Sequence, residues 1–168
     1  MPTPFMHLRA AHRFLSESPL AEIFRQQVES PNWLGAFLLG NVAPDARVSG
    51  GHSREATHFF EYQAHVEPHA GDALLAAYPQ LRAEQGAGRA FVAGYLAHLA
   101  MDVVWCEDML FTQFYQRDWG DAASKYLLLH VLLCYLDERD YKQWPIIFYD
   151  ALHAATPQGW RLFCRTTI

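Results

Sequence analysis

Residues 94–108, GYLAHLAMDVVWCED, constrain the fold more than any other part of the chain. Apolar residues fill most of these positions and no proline interrupts them, so the stretch reads as one helix. His98 and Asp102 stand four residues apart, which places them one turn apart on the same face. An imidazole and a carboxylate so placed can hold one divalent metal ion. They can also hydrogen-bond to each other inside a helical core.

The flanking sequence has the same character. The 168 residues suggest one domain with a sizeable core. Strand signals are weak, and the expected architecture is all-α, a single-domain multi-helix bundle of six or seven helices spanning residues 1–168. Charged residues make up only 18% of the chain, and the formal net charge is -5. That balance argues against a nucleic-acid polymer or an anionic lipid surface as a non-specific partner. It leaves room for a phosphate substrate, because a bound metal reverses the local sign. The N-terminus lacks the basic and apolar regions of a secretory signal, and no run of eighteen uncharged apolar residues occurs. A cytoplasmic location and no transmembrane segment are therefore expected. Three widely spaced cysteines, Cys106, Cys134 and Cys164, do not form a disulfide scaffold.

Seven of the nine histidines precede residue 100, so candidate ligands crowd the first half. Residues 5–16 form a short helix in which His7 and His12 lie about 140° apart and do not share a face. A second amphipathic segment follows Pro19. The strongly apolar WLGAFLLG is buried and ends at Asn41-Val42-Ala43-Pro44, where Asp45 stands at a change of chain direction. Residues 46–53 read as a loop, and Ser53 is placed to cap the next helix. Residues 57–69 are expected to be helical, with His58, Tyr62, His65 and His69 in one stripe and Pro68 kinking or ending it. Residues 71–83 resume a helical pattern. The central helix is expected over 89–117, a leucine-rich helix carrying His130 and Cys134 over 125–136, a charged boundary at 137–140, and a last helix over 144–155.

Asp45, His58, His98 and Asp102 form the best ligand set. Two nitrogens and two carboxylates can surround one zinc or another first-row divalent ion, with iron and manganese compatible. They come from two helices and a tight turn, so a metal there would staple three elements together. The competing reading of the same residues is an Asp45 turn cap, a half-exposed His58 and a plain His98–Asp102 pair.

The segments LGAFLLGNVAPDA, REATHF and GYLAHLAMD, in that order, resemble the zinc-dependent phospholipase C family, which shares its all-helical framework with the P1-type nucleases. The resemblance covers roughly residues 5–108. It implies a metal-dependent hydrolase acting on a phosphoric ester, possibly a phospholipid or other phosphodiester of small-molecule size. It implies that Asp45, His58, His98 and Asp102 bind one zinc, and that Asp102 also bridges to a neighbouring zinc held by His12 or His7. One to three ions follow from the family pattern. Asp45 would double as an orienter of the attacking water.

The chain departs from that pattern in two places. It begins Met1-Pro2-Thr3, where the secreted enzymes use the amino group and carbonyl of an N-terminal tryptophan. It also lacks a His-x-x-x-Glu pair after Asp102, for which Glu107, Asp108 and His130 are the available substitutes. Arg54 can meet a phosphate or brace a metal-bound carboxylate, and Tyr62 and His65 can line the substrate pocket. Two other readings stay open: a non-hydrolytic metalloenzyme on the same fold, and a non-enzymatic binding protein with one structural metal. The dense aromatics of the second half suit either a core or a homodimer interface.

Overall fold

Two glycines set the centre of the bundle in the computed structural model, which describes residues 1–28 and 32–156. A Cβ on Gly40 would lie 2.2 Å from the Phe91 carbonyl oxygen, and one on Gly94 would lie 2.0 Å from that of Phe37. Only hydrogen at both positions lets helix α3 (Trp33–Val42) and helix α7 (Gly86–Val104) cross backbone to backbone. These two helices share the most extensive interface in the molecule. Phe37, Leu38, Ala90, Tyr95 and Leu99 fill it.

The other elements surround that crossing. Helix α1 (Pro4–Glu17) begins at Thr3, whose hydroxyl accepts from the Met6 N–H, and it turns Met6, His7, Leu8, Ala11 and Leu15 inward. Helix α2 (Leu20–Val28) follows the Ser18-Pro19 break. After α3 a 3₁₀ turn (Ala43–Ala46) carries Asp45, and two short helices, α4 (Arg47–Gly50) and α5 (Arg54–His58), lie where a loop was expected to lead into a helix. Ser53 does cap α5, accepting from the Ala56 N–H at 3.3 Å. Helix α6 (Ala70–Ala77) and a 3₁₀ turn (Pro79–Ala83) lead into α7. Helix α8 (Ala122–Lys142) rests on α1, and α9 (Ile146–His153) packs on α3. No strand occurs among the described residues, and the all-helical expectation holds. Cys164 and the rest of the C-terminal tail lie outside the described residues.

Three expected boundaries move. The helix over 57–69 does not form: α5 stops at His58 because Phe59 takes a left-handed conformation, φ 62°. The His58–Tyr62–His65–His69 stripe therefore does not exist, and His69 instead caps α6 by accepting from the Gly71 N–H at 3.1 Å. The charged run 137–140 does not end α8, since it contains no helix breaker, and Asp140 is buried against its neighbour Arg139 at 2.6 Å. The central helix extends as expected, but Trp105–Tyr115 is wound as a π-helix, with the Gln116 N–H donating to the Phe111 carbonyl. The rod from Gly86 to Tyr115 is long and apolar enough to cross a membrane by length and composition. Its α7 part lies at the central crossing, and just over half of its most apolar window is buried inside the structure.

Candidate metal centre

Two buried imidazoles meet at the α5–α7 contact with their hydrogens already committed. The His98 Nδ1–H donates to the Asn41 carbonyl at 2.8 Å, which fixes that ring as the Nδ1-protonated tautomer. The Thr57 hydroxyl lies 3.3 Å from the Arg54 carbonyl and 2.8 Å from His58 Nδ1, which orients the second ring. The two Nε2 atoms face each other 3.3 Å apart. The Tyr95 hydroxyl donates to the Thr57 carbonyl at 2.6 Å and ties α7 to α5 at this height.

Two carboxylates complete the cluster. Asp45, at the rim and 15% exposed, places Oδ1 3.4 Å from His58 Nε2. Asp102, fully buried, places Oδ2 3.5 Å from His58 Nε2 and 4.0 Å from His98 Nε2. Its other oxygen, Oδ1, faces His7 Nε2 at 3.4 Å. His7 comes from α1 and stacks on His98 with ring centroids 3.7 Å apart. Both ring nitrogens of His7 and Oδ1 of Asp102 are buried without a hydrogen-bond partner. Buried polar atoms are rarely left so, and an ion seated by His7–His98–Asp102 would engage one His7 nitrogen and an Asp102 oxygen, while Asp45–His58–His98 forms a second group able to hold a metal.

The spacing also fits. Ligand atoms held tetrahedrally at zinc distances lie about 3.3 Å from one another. The His58–His98 and His58–Asp45 separations, 3.3 and 3.4 Å, match that edge. Acceptor atoms converging this closely require a proton or a cation between them. Nitrogen and carboxylate donors of this kind suit zinc.

Arg54 supplies a fixed cation. Its Nη2 donates to Asp102 Oδ2 at 2.9 Å, and its guanidinium lies 4.6 Å from the Phe60 ring centroid and 4.5 Å from that of Tyr62. Nη1 and Nε are buried and unpartnered. With neutral imidazoles the cluster holds two negative charges and one positive.

The electrostatics prepare the ligands. Burial, helped by neighbouring His7, holds His98 down at about 4, so the ring is neutral and its lone pair free. Burial pushes Asp102 up, but the His7 contact and the neighbouring imidazoles outweigh it and keep the carboxyl below its usual range. Asp45 behaves the same way, with its contact to His58 opposing burial. The Met1 amino group also lies against the cluster: burial lowers its pKa while Asp102 and Asp45 pull the other way. Burial raises the Tyr62 phenol to about 12, so it stays protonated.

Of the twelve residues singled out in the sequence as ligands or pocket residues, six converge: His7, Asp45, Arg54, His58, His98 and Asp102. Tyr62 adjoins them through Arg54. His12, left open against His7, lies outside the cluster, with its ring against Arg9 at 3.0 Å and Phe148. His130 sits on the exposed side of α8 against Tyr126 and is far from serving as a substitute ligand. His65 is 77% exposed and pairs with Glu107 at 3.2 Å, while Glu107 also accepts from the Val66 N–H. Neither therefore fills the place of the missing downstream pair. Asn41, Thr57, Phe60 and Tyr95 were not singled out. Asn41 and Thr57 flank ligands within the same short segments, but the use of Asn41's backbone carbonyl leaves no mark on residue type.

No curated protein and no solved structure matches the chain. A family model described as zinc dependent phospholipase C matches residues 6–128, the span that carries every member of the cluster. That match covers most of the chain, and two groups of its histidines and carboxylates can hold a metal ion, so this protein belongs to the zinc-dependent phospholipase C family and is a metal-dependent phosphoester hydrolase.

Proposed function

We propose that the chain hydrolyses a phosphodiester, foremost the headgroup ester of a phospholipid, at a centre of two zinc ions. Asp45, His58 and His98 would hold the first, with Asp102 Oδ2 beside it. His7 and Asp102 Oδ1 would hold the second, because the one free nitrogen of His98 is already committed to the first. The convergence of acceptor atoms at tetrahedral spacing around His58 Nε2 carries the reading.

A bound zinc ion supplies Lewis acidity, making water a nucleophile near neutral pH and polarising a phosphoryl oxygen. The protein residues do the rest. Asp45, the least buried carboxylate, stands where substrate enters and accepts a proton from the attacking water. Arg54 keeps a positive charge beside Asp102 and directs its unpartnered Nη1 to the charge that grows on the phosphoryl oxygens. Phe60 and Tyr62 hold the guanidinium plane and keep water from it. Arg54 thereby stands in for the electropositive group that the absent His-x-x-x-Glu pair would have held. Free thiols at Cys106 and Cys134 support a cytoplasmic setting.

Elemental analysis of protein purified without added metal, alongside the His7→Ala and His98→Ala variants, tests the centre. Two zinc ions per chain, with one lost in His7→Ala and the other in His98→Ala, are expected. Hydrolysis of phosphatidylcholine vesicles and of a soluble aryl phosphodiester tests the reaction. One ion per chain, retained in His7→Ala and with no turnover of either substrate, would leave a single structural metal instead.

A further inference from the structure

Arg54 opens a short segment that returns to its own side chain. Helix α5 stops at His58, where the positive φ of Phe59 breaks the helix. Phe60 and Tyr62 then come back against Arg54. Their rings stand edge to face, with centroids 6.3 Å apart and planes at 87°. Two rings at a right angle make a corner, and the guanidinium sits in it, 4.6 Å from the Phe60 centroid and 4.5 Å from that of Tyr62. Both distances are well inside the reach of a cation–π contact. The same group is tied to Asp102 at 2.9 Å, and the side chain is only 11% exposed. Phe60 is buried and Tyr62 is 42% exposed, so the corner lies near the surface while touching a metal ligand.

A corner of aromatic faces is how proteins seat an ammonium group, quaternary ammonium above all. Here the seat is filled from within. A choline or ethanolamine substituent would have to displace Arg54 from two rings and a buried carboxylate, or stay outside and meet its charge. The cluster offers no anion in compensation. Asp102 is buried and already holds Arg54, and Asp45 faces His58 at the first metal position. Glu107, on the π-helical stretch, accepts from the Val66 N–H at 2.6 Å and pairs with His65 at 3.2 Å. Two divalent ions would outweigh the two carboxylates, and Arg54 adds a further positive charge. Salt screens a charge so far out of water only weakly.

We propose that Arg54 makes the site selective for phosphodiesters of net negative charge, such as those with a polyol headgroup, over zwitterionic ones that carry an ammonium group. The inference rests on the phosphodiester reading above and narrows it. Selectivity of this kind comes as much from repelling the wrong headgroup as from attracting the right one.

Calorimetric titration of the zinc-loaded chain with two headgroup phosphates tests the proposal. Glycerol 3-phosphate and phosphocholine share the phosphate and differ in the ammonium group. Glycerol 3-phosphate should bind at least about tenfold more tightly. Arg54→Gln should bring the two affinities within about threefold of each other, because it removes the charge and vacates the corner. Arg54→Lys should restore the preference by returning a cation to the corner, whereas a role confined to bracing Asp102 would not move the ratio. Soluble dihexanoyl phosphatidylglycerol should be hydrolysed faster than dihexanoyl phosphatidylcholine. Equal or tighter binding of phosphocholine by the wild type overturns the proposal, and so does failure of both phosphates to bind or faster hydrolysis of the choline lipid. A preference that persists in Arg54→Gln with zinc content unchanged also overturns it. The wild-type pair of titrations decides the selectivity even where the glutamine variant fails to fold. A binding preference without turnover of the aryl phosphodiester would instead sink the hydrolytic reading and leave the selectivity in place.

Discussion

Replacing Gly94 with alanine should weaken the metal centre without touching a ligand. The added Cβ would lie 2.0 Å from the Phe37 carbonyl oxygen and 3.1 Å from the Asn41 nitrogen, both backbone atoms of a buried helix. Ordinary contact begins at 3.4 Å, so α3 and α7 must part by about 1.4 Å. The same displacement stretches the 2.8 Å bond from His98 Nδ1 to the Asn41 carbonyl to roughly 4 Å, beyond hydrogen-bond reach. Overpacking of this kind costs about 1–3 kcal/mol, and the lost hydrogen bond about 1 kcal/mol more. The better helix propensity of alanine returns about 1 kcal/mol. The net is about 2 kcal/mol, or a fall of about 4–8 °C in Tm for a chain of this length. With its tautomer no longer fixed, His98 should bind zinc about 10–100-fold more weakly. Thermal unfolding in chelator reads the first number, and a competitive zinc titration the second. A variant whose metal-free Tm is unchanged or raised, and whose zinc affinity equals that of the parent, would refute the claim that backbone contact at Gly94 sets the site.

Metal-free protein should lose stability as pH falls from about 6.5 to about 4, because folded His98 resists the proton that its unfolded counterpart accepts. That contribution is fully present above the unfolded pKa, its slope is at most about 1.4 kcal/mol per pH unit, and urea midpoints across that range should flatten in His98→Gln. Zinc at a hundred times its dissociation constant should stabilise the fold by about 2.7 kcal/mol, raising Tm by about 5–10 °C in differential scanning fluorimetry, and excess chelator should reverse the shift. Asp102→Ala should destabilise the metal-free protein by about 3–5 kcal/mol in chemical denaturation, since it leaves the Arg54 guanidinium buried without its carboxylate. His12→Ala and His130→Ala should keep the parent's metal content by elemental analysis, because neither ring reaches the cluster.

Most of the cluster was legible because its members occupy short segments whose spacing is meaningful by itself. His98 and Asp102 are fixed on one face by helical periodicity, and the proline before Asp45 forces the turn that presents it. His58 was placed correctly for the wrong reason. It ends a five-residue helix instead of beginning a long one, since nothing in the residue type of Phe59 announces a positive φ. The choice between His7 and His12 depended on which side of α1 faces α7, and that is a tertiary fact. His7 is buried and His12 is only partly so. The π-helical winding after Val104 likewise has no sequence signature at the level of residue type.

A ligand set made only of carboxylates and imidazoles would carry its full negative charge until an ion arrived, and the chain would be held open meanwhile. Here the Arg54 guanidinium already meets Asp102 at 2.9 Å, and one net negative charge remains to be balanced. Arg54 therefore lowers the electrostatic cost of burying Asp102, a cost that a ligand set of carboxylates and imidazoles alone would bear in full.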